Sequence, residues 1–153
     1  MSAQLDNLPA FRPMRADDLD FVMAIESDVY PYPWTHGNFS DSLAAGYCCS
    51  VMEQGGEMIG YGVLMVAADE SHLLNLSIAR QWQRQGWGRV LLHHFMQLAR
   101  TARAVSMYLE TRPTNVAARA LYVREGFGQL AVRRGYYPAA QGREDALLLG
   151  LKL

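Results

Sequence analysis

The chain is poor in the features that would place it outside ordinary folded enzymes. It has two cysteines in 153 residues, and these are the neighbours Cys48 and Cys49. Adjacent side chains on a strand point to opposite faces, so a disulfide framework is excluded and half-buried free thiols are expected. Two adjacent cysteines also make no four-ligand zinc pattern. No stretch approaches the roughly 20 apolar residues that cross a bilayer, and the first residues carry no apolar segment flanked by positive charge, so a cytoplasmic protein without a membrane partner is expected. Formal net charge is −1, which removes a globally basic surface as a reason to expect direct nucleic-acid binding. Internal repeats and low-complexity tracts are absent.

What remains is a chain with 50% hydrophobic residues, long enough for one domain over residues 1–153 with a sizeable core. Residues 1–10 read as a loose extension. A short strand is expected at 11–15. From Asp17 the period becomes helical through Leu19, Val22, Met23, Ile25 and Val29, until Tyr30-Pro31-Tyr32-Pro33-Trp34 blocks continuation. Thr35 is placed to cap a second short helix to about Leu43. Strands follow at 47–54, 58–67 and 71–78, the first two joined by the turn Gly55-Gly56. A helix over 90–102, a strand over 104–111, a helix over 115–125 stopped by Gly126, and strands at 127–134 and 146–151 complete the chain, the last two joined by a loop over 135–145. The order is β-α-α-β-β-β-α-β-α-β-β. It describes an α/β fold, a mixed central sheet flanked by helices.

Between the strand ending at Ile78 and the following helix stands Gln83-Arg84-Gln85-Gly86-Trp87-Gly88-Arg89. A glycine-rich turn opening a helix offers backbone N–H groups and the positive end of the helix dipole to an anion, so a phosphate-bearing ligand is expected, with Arg84 and Arg89 as further donors. A Walker loop would end in Gly-Lys-Ser/Thr, and a dinucleotide fingerprint would place a third glycine at position 91, which is Leu91.

Two side chains have the chemistry of amine acylation. Alternation along 104–111 sends Ser106, Tyr108 and Glu110 to one face, with Glu110 at the carboxyl end where open sheets place ligands. An ammonium has no lone pair to attack a thioester, so a base is required, and a carboxylate there supplies one; a solvated strand end or an ion pair with Arg112 is the alternative. Tyr122 lies about two helical turns after Asn115, placed either as a proton donor or as a core tyrosine.

The Gln-x-x-Gly-x-Gly turn with arginine after its first glutamine, taken with the element order, resembles the acyl-coenzyme A turn of the GCN5-related N-acetyltransferases over nearly the whole chain after about residue 10. Leu109-Glu110-Thr111-Arg112, Asn115 to Tyr122, Gly126-Phe127, Arg133-Arg134-Gly135-Tyr136-Tyr137-Pro138 and Gly142-Arg143-Glu144-Asp145-Ala146 resemble, within that superfamily, the bacterial ribosomal-protein alanine N-acetyltransferases. The resemblance implies acetyl-CoA as co-substrate, no metal, and, as acceptor and partner, the N-terminal alanine of protein eighteen of the small ribosomal subunit. It implies Glu110 as general base and Tyr122 as general acid. Cofactor contacts carry over to Leu76, Ser77, Ile78, Arg84, Gln85, Gly86, Trp87, Gly88, Arg89 and Asn115, with a backbone amide at 76–78 for the developing oxyanion.

Tyr32, Trp34, Tyr136 and Tyr137 are read as an aromatic groove for an extended peptide, with surface packing as the plain alternative. Two departures bear on this: Trp87 replaces a smaller aliphatic residue, and the 30–34 segment carries an extra proline-aromatic element. A broader N-terminal or small-amine acetyltransferase is therefore the alternative function, and a catalytically silent cofactor-binding module a third. His93 and His94 are read as exposed helix residues, and a monomer or weak homodimer is expected.

Overall fold

A computed structural model describes residues 8–153. Most of the expected N-terminal extension, residues 1–7, lies outside the described residues, and the first strand already begins at Ala10. The strands are β1 (Ala10–Pro13), β2 (Cys48–Gln54), β3 (Glu57–Ala67), β4 (Glu70–Ile78), β5 (Ser106–Thr111), β6 (Gly128–Ala139) and β7 (Gly142–Lys152). The helices are α1 (Leu19–Val29), α2 (His36–Ala44), α3 (Trp87–Thr101) and α4 (Val116–Arg124), which reproduces the expected element order. One seven-stranded sheet runs β1-β2-β3-β4-β5-β7-β6. It is antiparallel except where β4 meets β5. Among the described residues no helix is long and apolar enough to cross a membrane.

Local chemistry sets the helix boundaries. Thr35 Oγ1 accepts from Asn38 N at 3.0 Å while Asn38 Oδ1 accepts from Thr35 N at 2.9 Å, a reciprocal cap that starts α2 where expected. Ahead of α1, the Asp18 carboxylate accepts from the Arg12 guanidinium at 2.7 and 2.8 Å and from Arg15 N at 2.7 Å. These bonds hold its pKa below the usual carboxylate range.

Two apolar layers cover the sheet. Leu19, Val22 and Phe39 pack on Cys49, Val51, Tyr61 and Val63. Leu91, Leu92, Phe95 and Ala99 of α3 pack with Met52, Leu64, Met107 and Leu109 on a separate cluster. Strand alternation puts Tyr61 and Val63 toward α1 and α2, which leaves Gly62 under α3. A Cβ there would sit 2.5 Å from Phe95 Cε2 and 2.7 Å from Asn75 O, so the glycine admits the Phe95 ring. Both cysteines are free, and burial pushes the Cys49 thiol up to about 11, the state of an inert packing residue.

The sheet then opens. β4 and β5 pair only at Glu70↔Ser106, Ser71↔Met107 and His72↔Tyr108. Directly afterwards Leu64 opposes Leu73 but Val63 opposes Asn75, leaving Leu74 as an extra residue in β4. Such a bulge bends its strand. Residues 73–78 diverge from 109–111, and a cleft forms where two strands would otherwise continue their ladder.

Two expectations are corrected. Residues 135–145 are not a loop: β6 and β7 pair out to Ala139↔Gly142 around a two-residue turn, with an irregularity between Arg133 and Tyr137 that takes up the extra residues. His94 is not an exposed helix residue: it is half-buried, its ring stacked on Phe11 at 4.1 Å and its Nε2 3.1 Å from Ser50 Oγ. The helix turn that carries Leu91 and Phe95 inward carries His94 toward β1 and β2.

Candidate active site

The cleft between β4 and β5 has a volume of about 650 Å³ and is lined by α1 and its following turn, the diverging strands, the start of α4 and the β6 edge. Glu110 and Tyr122 both line it, with Leu76, Asn115, Tyr32, Trp34 and Tyr137. Tyr136 does not: it is 47% exposed, its ring beneath the Arg133 guanidinium at 4.8 Å. Ser77 and Ile78 stand behind Leu76, outside the lining.

On the β5 wall, Glu110 Oε1 lies 3.5 Å from Arg133 Nη1. Its other oxygen, Oε2, is buried with no hydrogen-bond partner among the described residues. Buried carboxylate oxygens are ordinarily satisfied, so a bare one on a residue that lines a cleft is an acceptor without a donor. The ion pair with Arg112 is not formed. Arg112 turns instead to Glu144 at 3.3 Å and donates to Pro138 O at 2.6 Å. Tyr122 is buried to 7% exposure, which pushes its phenol pKa upward, with Tyr30 adding to the shift. It therefore keeps its proton at neutral pH. α4 is fixed beneath it by Asn115, whose Oδ1 accepts from Ala118 N at 3.4 Å.

The β4 wall is organised differently. Glu26, 1% exposed, accepts from Tyr61 Oη at 2.6 Å, Trp34 N at 3.0 Å and Asn75 Nδ2 at 3.3 Å. Asn75 Oδ1 accepts from Ser77 Oγ at 2.7 Å, Ser77 Oγ is 2.9 Å from Tyr30 Oη, and Tyr30 donates to Leu76 O at 3.0 Å. Burial pushes the Tyr30 phenol up to about 12. Sequence reasoning missed Glu26 and Asn75, and took Tyr30 only as part of the 30–34 segment. The signal for Glu26 was present, since the spacing Leu19-Val22-Glu26 puts a carboxylate on the buried stripe of α1, and Asn75 interrupts the apolar run Leu73-Leu74-Asn75-Leu76.

At the mouth, Arg112 lies between rings from the two sides, 4.9 Å from the Tyr32 centroid and 4.4 Å from that of Tyr137. The segment Gly142 to Asp145 braces this rim. Arg143 donates to Gly135 O at 2.6 Å and Tyr136 O at 2.8 Å, Asp145 accepts from Gly135 N at 2.9 Å, and Glu144 accepts from Thr114 N at 3.0 Å. These side chains hold the irregular part of β6 in place.

The glycine-rich turn follows the end of β4. Gly86, with φ +86°, precedes α3, and a left-handed backbone there favours glycine. Val90 N bonds Gly86 O, so the preceding N–H groups of the first turn, on Trp87, Gly88 and Arg89, have no carbonyl within the helix. Arg84 also adopts a left-handed backbone, φ +62°, and Gln83 Nε2 ties the turn to Ile78 O at 2.9 Å. Arg89 Nε and His93 Nε2 both meet Glu125, at 2.7 and 2.6 Å, and lower its pKa, His93 the more strongly. Trp87 packs edge-on against Trp82 at 6.3 Å. Free amides with adjacent guanidinium groups suit a diphosphate, and the unpaired edge of β4 suits an extended amide-bearing arm. The chain's own residues thus fit acetyl-CoA.

Residues 19–127 match the acetyltransferase (GNAT) family. The chain is 34% identical over 140 residues to the ribosomal protein bS18-alanine N-acetyltransferase of Escherichia coli K12, covering 92% of this chain and 95% of that protein. It is 28% identical over 141 residues to the enzyme of the same name from Haemophilus influenzae, covering 92% and 96%. Its fold superposes on the crystal structure of the ribosomal-protein-S18-alanine N-acetyltransferase from Escherichia coli with a TM-score of 0.88, at 32% identity, covering 95% of this chain and 94% of that one.

Proposed function

The chain belongs to the acetyltransferase (GNAT) family and is an acetyl-CoA-dependent N-acetyltransferase, and from that premise we propose that it acetylates the N-terminal alanine of ribosomal protein bS18 by direct attack of the α-amine on the thioester. The observation that carries the mechanism is the Glu110 carboxylate lining the cleft, one of whose oxygens, Oε2, has no hydrogen-bond partner among the described residues. It accepts a proton from the attacking amine as the nitrogen–carbon bond forms. An α-amine has an unperturbed pKa of about 7.7 to 8.0, against roughly 10.4 for lysine, so a usable neutral fraction exists near pH 7 and the base has modest work to do.

As the carbon–sulfur bond breaks, the departing thiolate takes the Tyr122 proton, which burial keeps on the phenol. A backbone amide among residues 76–78, on the unpaired edge of β4, faces the charge that develops on the carbonyl oxygen. The first turn of α3, with Gly86 and Gly88 and the Arg84, Gln85, Trp87 and Arg89 backbone around them, holds the diphosphate, and Asn115 flanks the arm. Tyr32, Trp34 and Tyr137 line the cleft where the peptide enters, with Tyr136 outside on the rim.

The test is acetyl transfer from acetyl-CoA to a peptide carrying the bS18 N-terminus and to a copy with its α-amine blocked. Transfer confined to the free-amine peptide is expected. Preferential transfer to polyamines would overturn the acceptor, and transfer to the blocked copy would overturn the α-amine chemistry.

A further inference from the structure

The hydrogen bonds of the β4 wall run in one direction. A carboxylate only accepts, so the Asn75 amide must turn its nitrogen to Glu26 and its oxygen to Ser77. Ser77 then spends its single proton on Asn75 Oδ1 and can only accept from Tyr30. Whether Tyr30 gives its proton to Ser77 Oγ or to Leu76 O, that proton points into the wall. A phenol pushed up to about 12 does not exchange this arrangement for a phenolate at neutral pH. Its oxygen, on a residue that lines the cleft, is left to the cleft as an acceptor only.

Two acceptors therefore belong to residues that line the cleft from its two walls: the Glu110 carboxylate from β5 and Tyr30 Oη beside β4. A neutral primary amine attacking a thioester has two N–H bonds and one lone pair. Directing one N–H to each wall leaves the lone pair facing the carbonyl carbon between them. We infer that Tyr30 is the second hydrogen-bond acceptor for the attacking nitrogen and makes the site selective for primary over secondary α-amines. The inference rests on the α-amine reading above. Tyr30 takes up no proton; it orients the nitrogen while Glu110 removes one. A secondary amine has only one N–H for the two acceptors and brings an alkyl group against one of them.

The experiment compares kcat/KM for the alanine peptide with that for the same peptide N-methylated at its first residue. The wild type should prefer the primary amine by at least about tenfold. Tyr30→Phe keeps the ring and removes the acceptor; it should lower kcat/KM for the primary amine roughly 5- to 10-fold and leave the N-methyl substrate within about twofold. The acetyl-CoA dissociation constant should be unchanged. Because the readout is a ratio within one sample, a partly folded variant does not distort it, and the wild-type preference tests the idea without any variant. Equal use of both peptides by the wild type, parallel loss on both in Tyr30→Phe, or weakened acetyl-CoA binding overturns the inference alone. Failure of the wild type to acetylate the alanine peptide overturns the reading beneath it.

Discussion

Glu26 and Glu110 line the same cleft, and they are bonded very differently. Glu26 is the more deeply buried and makes three hydrogen bonds to neutral donors from a tyrosine, an asparagine and the main chain. Glu110 has one contact with a cation at 3.5 Å, and its second oxygen has no partner among the described residues. Burial alone would nominate Glu26 as the unusual group. Hydrogen-bond accounting reverses that choice: a carboxylate held by three donors is a structural joint, whereas Glu110 keeps an oxygen that no donor occupies.

The sharpest way to break this contrast is to neutralise each in turn. Glu110→Gln should lower kcat by about 10²- to 10⁴-fold with acetyl-CoA affinity and thermal stability intact. Glu26→Gln should do the reverse. Its amide NH2 meets a donor it cannot accept from, at a cost of about 1–3 kcal/mol in stability and a Tm lower by several degrees, while kcat falls by less than about tenfold. Thermal denaturation and single-turnover rates on the same samples decide it; a Glu26→Gln protein that melts normally but does not turn over would exchange the two roles.

Local features of this arrangement were legible in the sequence and paired ones were not. The Thr35 cap, the Gly55-Gly56 turn, the helix over α3 and the opposed faces of β5 each follow from residues within a few positions of one another. The bulge at Leu74, which opens the cleft, depends on how β4 registers with β3, and no short-range pattern encodes that. Arg112 was the nearest cation to Glu110 in the sequence, yet Arg133 on another strand takes the contact because Glu144 and two tyrosine rings hold Arg112 elsewhere. Gly135, Pro138 and Gly142 punctuate residues 135–145 like a loop. Arg143 and Asp145, bonding across to residues 135 and 136, make them strand. The glycine-rich turn was readable because its chemistry is spelled by residue type, and Glu110 and Tyr122 were singled out through the family resemblance, while the Glu26 network was hidden because each member has an ordinary packing role when taken alone.

Arg112 sharpens the contrast between walls, because it touches neither carboxylate and ties only the mouth. Cation–π contacts of this kind contribute about 0.5–2 kcal/mol each. Arg112→Lys keeps the charge but loses the planar stack and the two bonds from Nη1 to Pro138 O and Glu144, so the peptide KM should rise a few-fold to about tenfold while kcat changes little. Initial rates over a range of peptide concentrations at saturating acetyl-CoA measure this. A fall in kcat with unchanged KM would mean that Arg112 acts on the reacting groups rather than on the rim.

The smallest effect separates acid loss of the fold from acid loss of activity. Burial lowers the His94 pKa, and its ring is stacked on Phe11 in contact with Ser50. A histidine whose folded pKa lies below its unfolded value of about 6.5 binds fewer protons in the native state than in the unfolded one. Stability must then fall as pH drops below that value, and level off only once the folded group has also protonated. His94→Gln keeps a polar contact with Ser50 and removes the titration. It should flatten the decline of Tm between about pH 7 and pH 5 and leave the pH dependence of kcat/KM where it was. If both profiles move together, the acid sensitivity of the activity is that of the fold, and the pH–rate curve reports unfolding rather than the chemistry of the cleft.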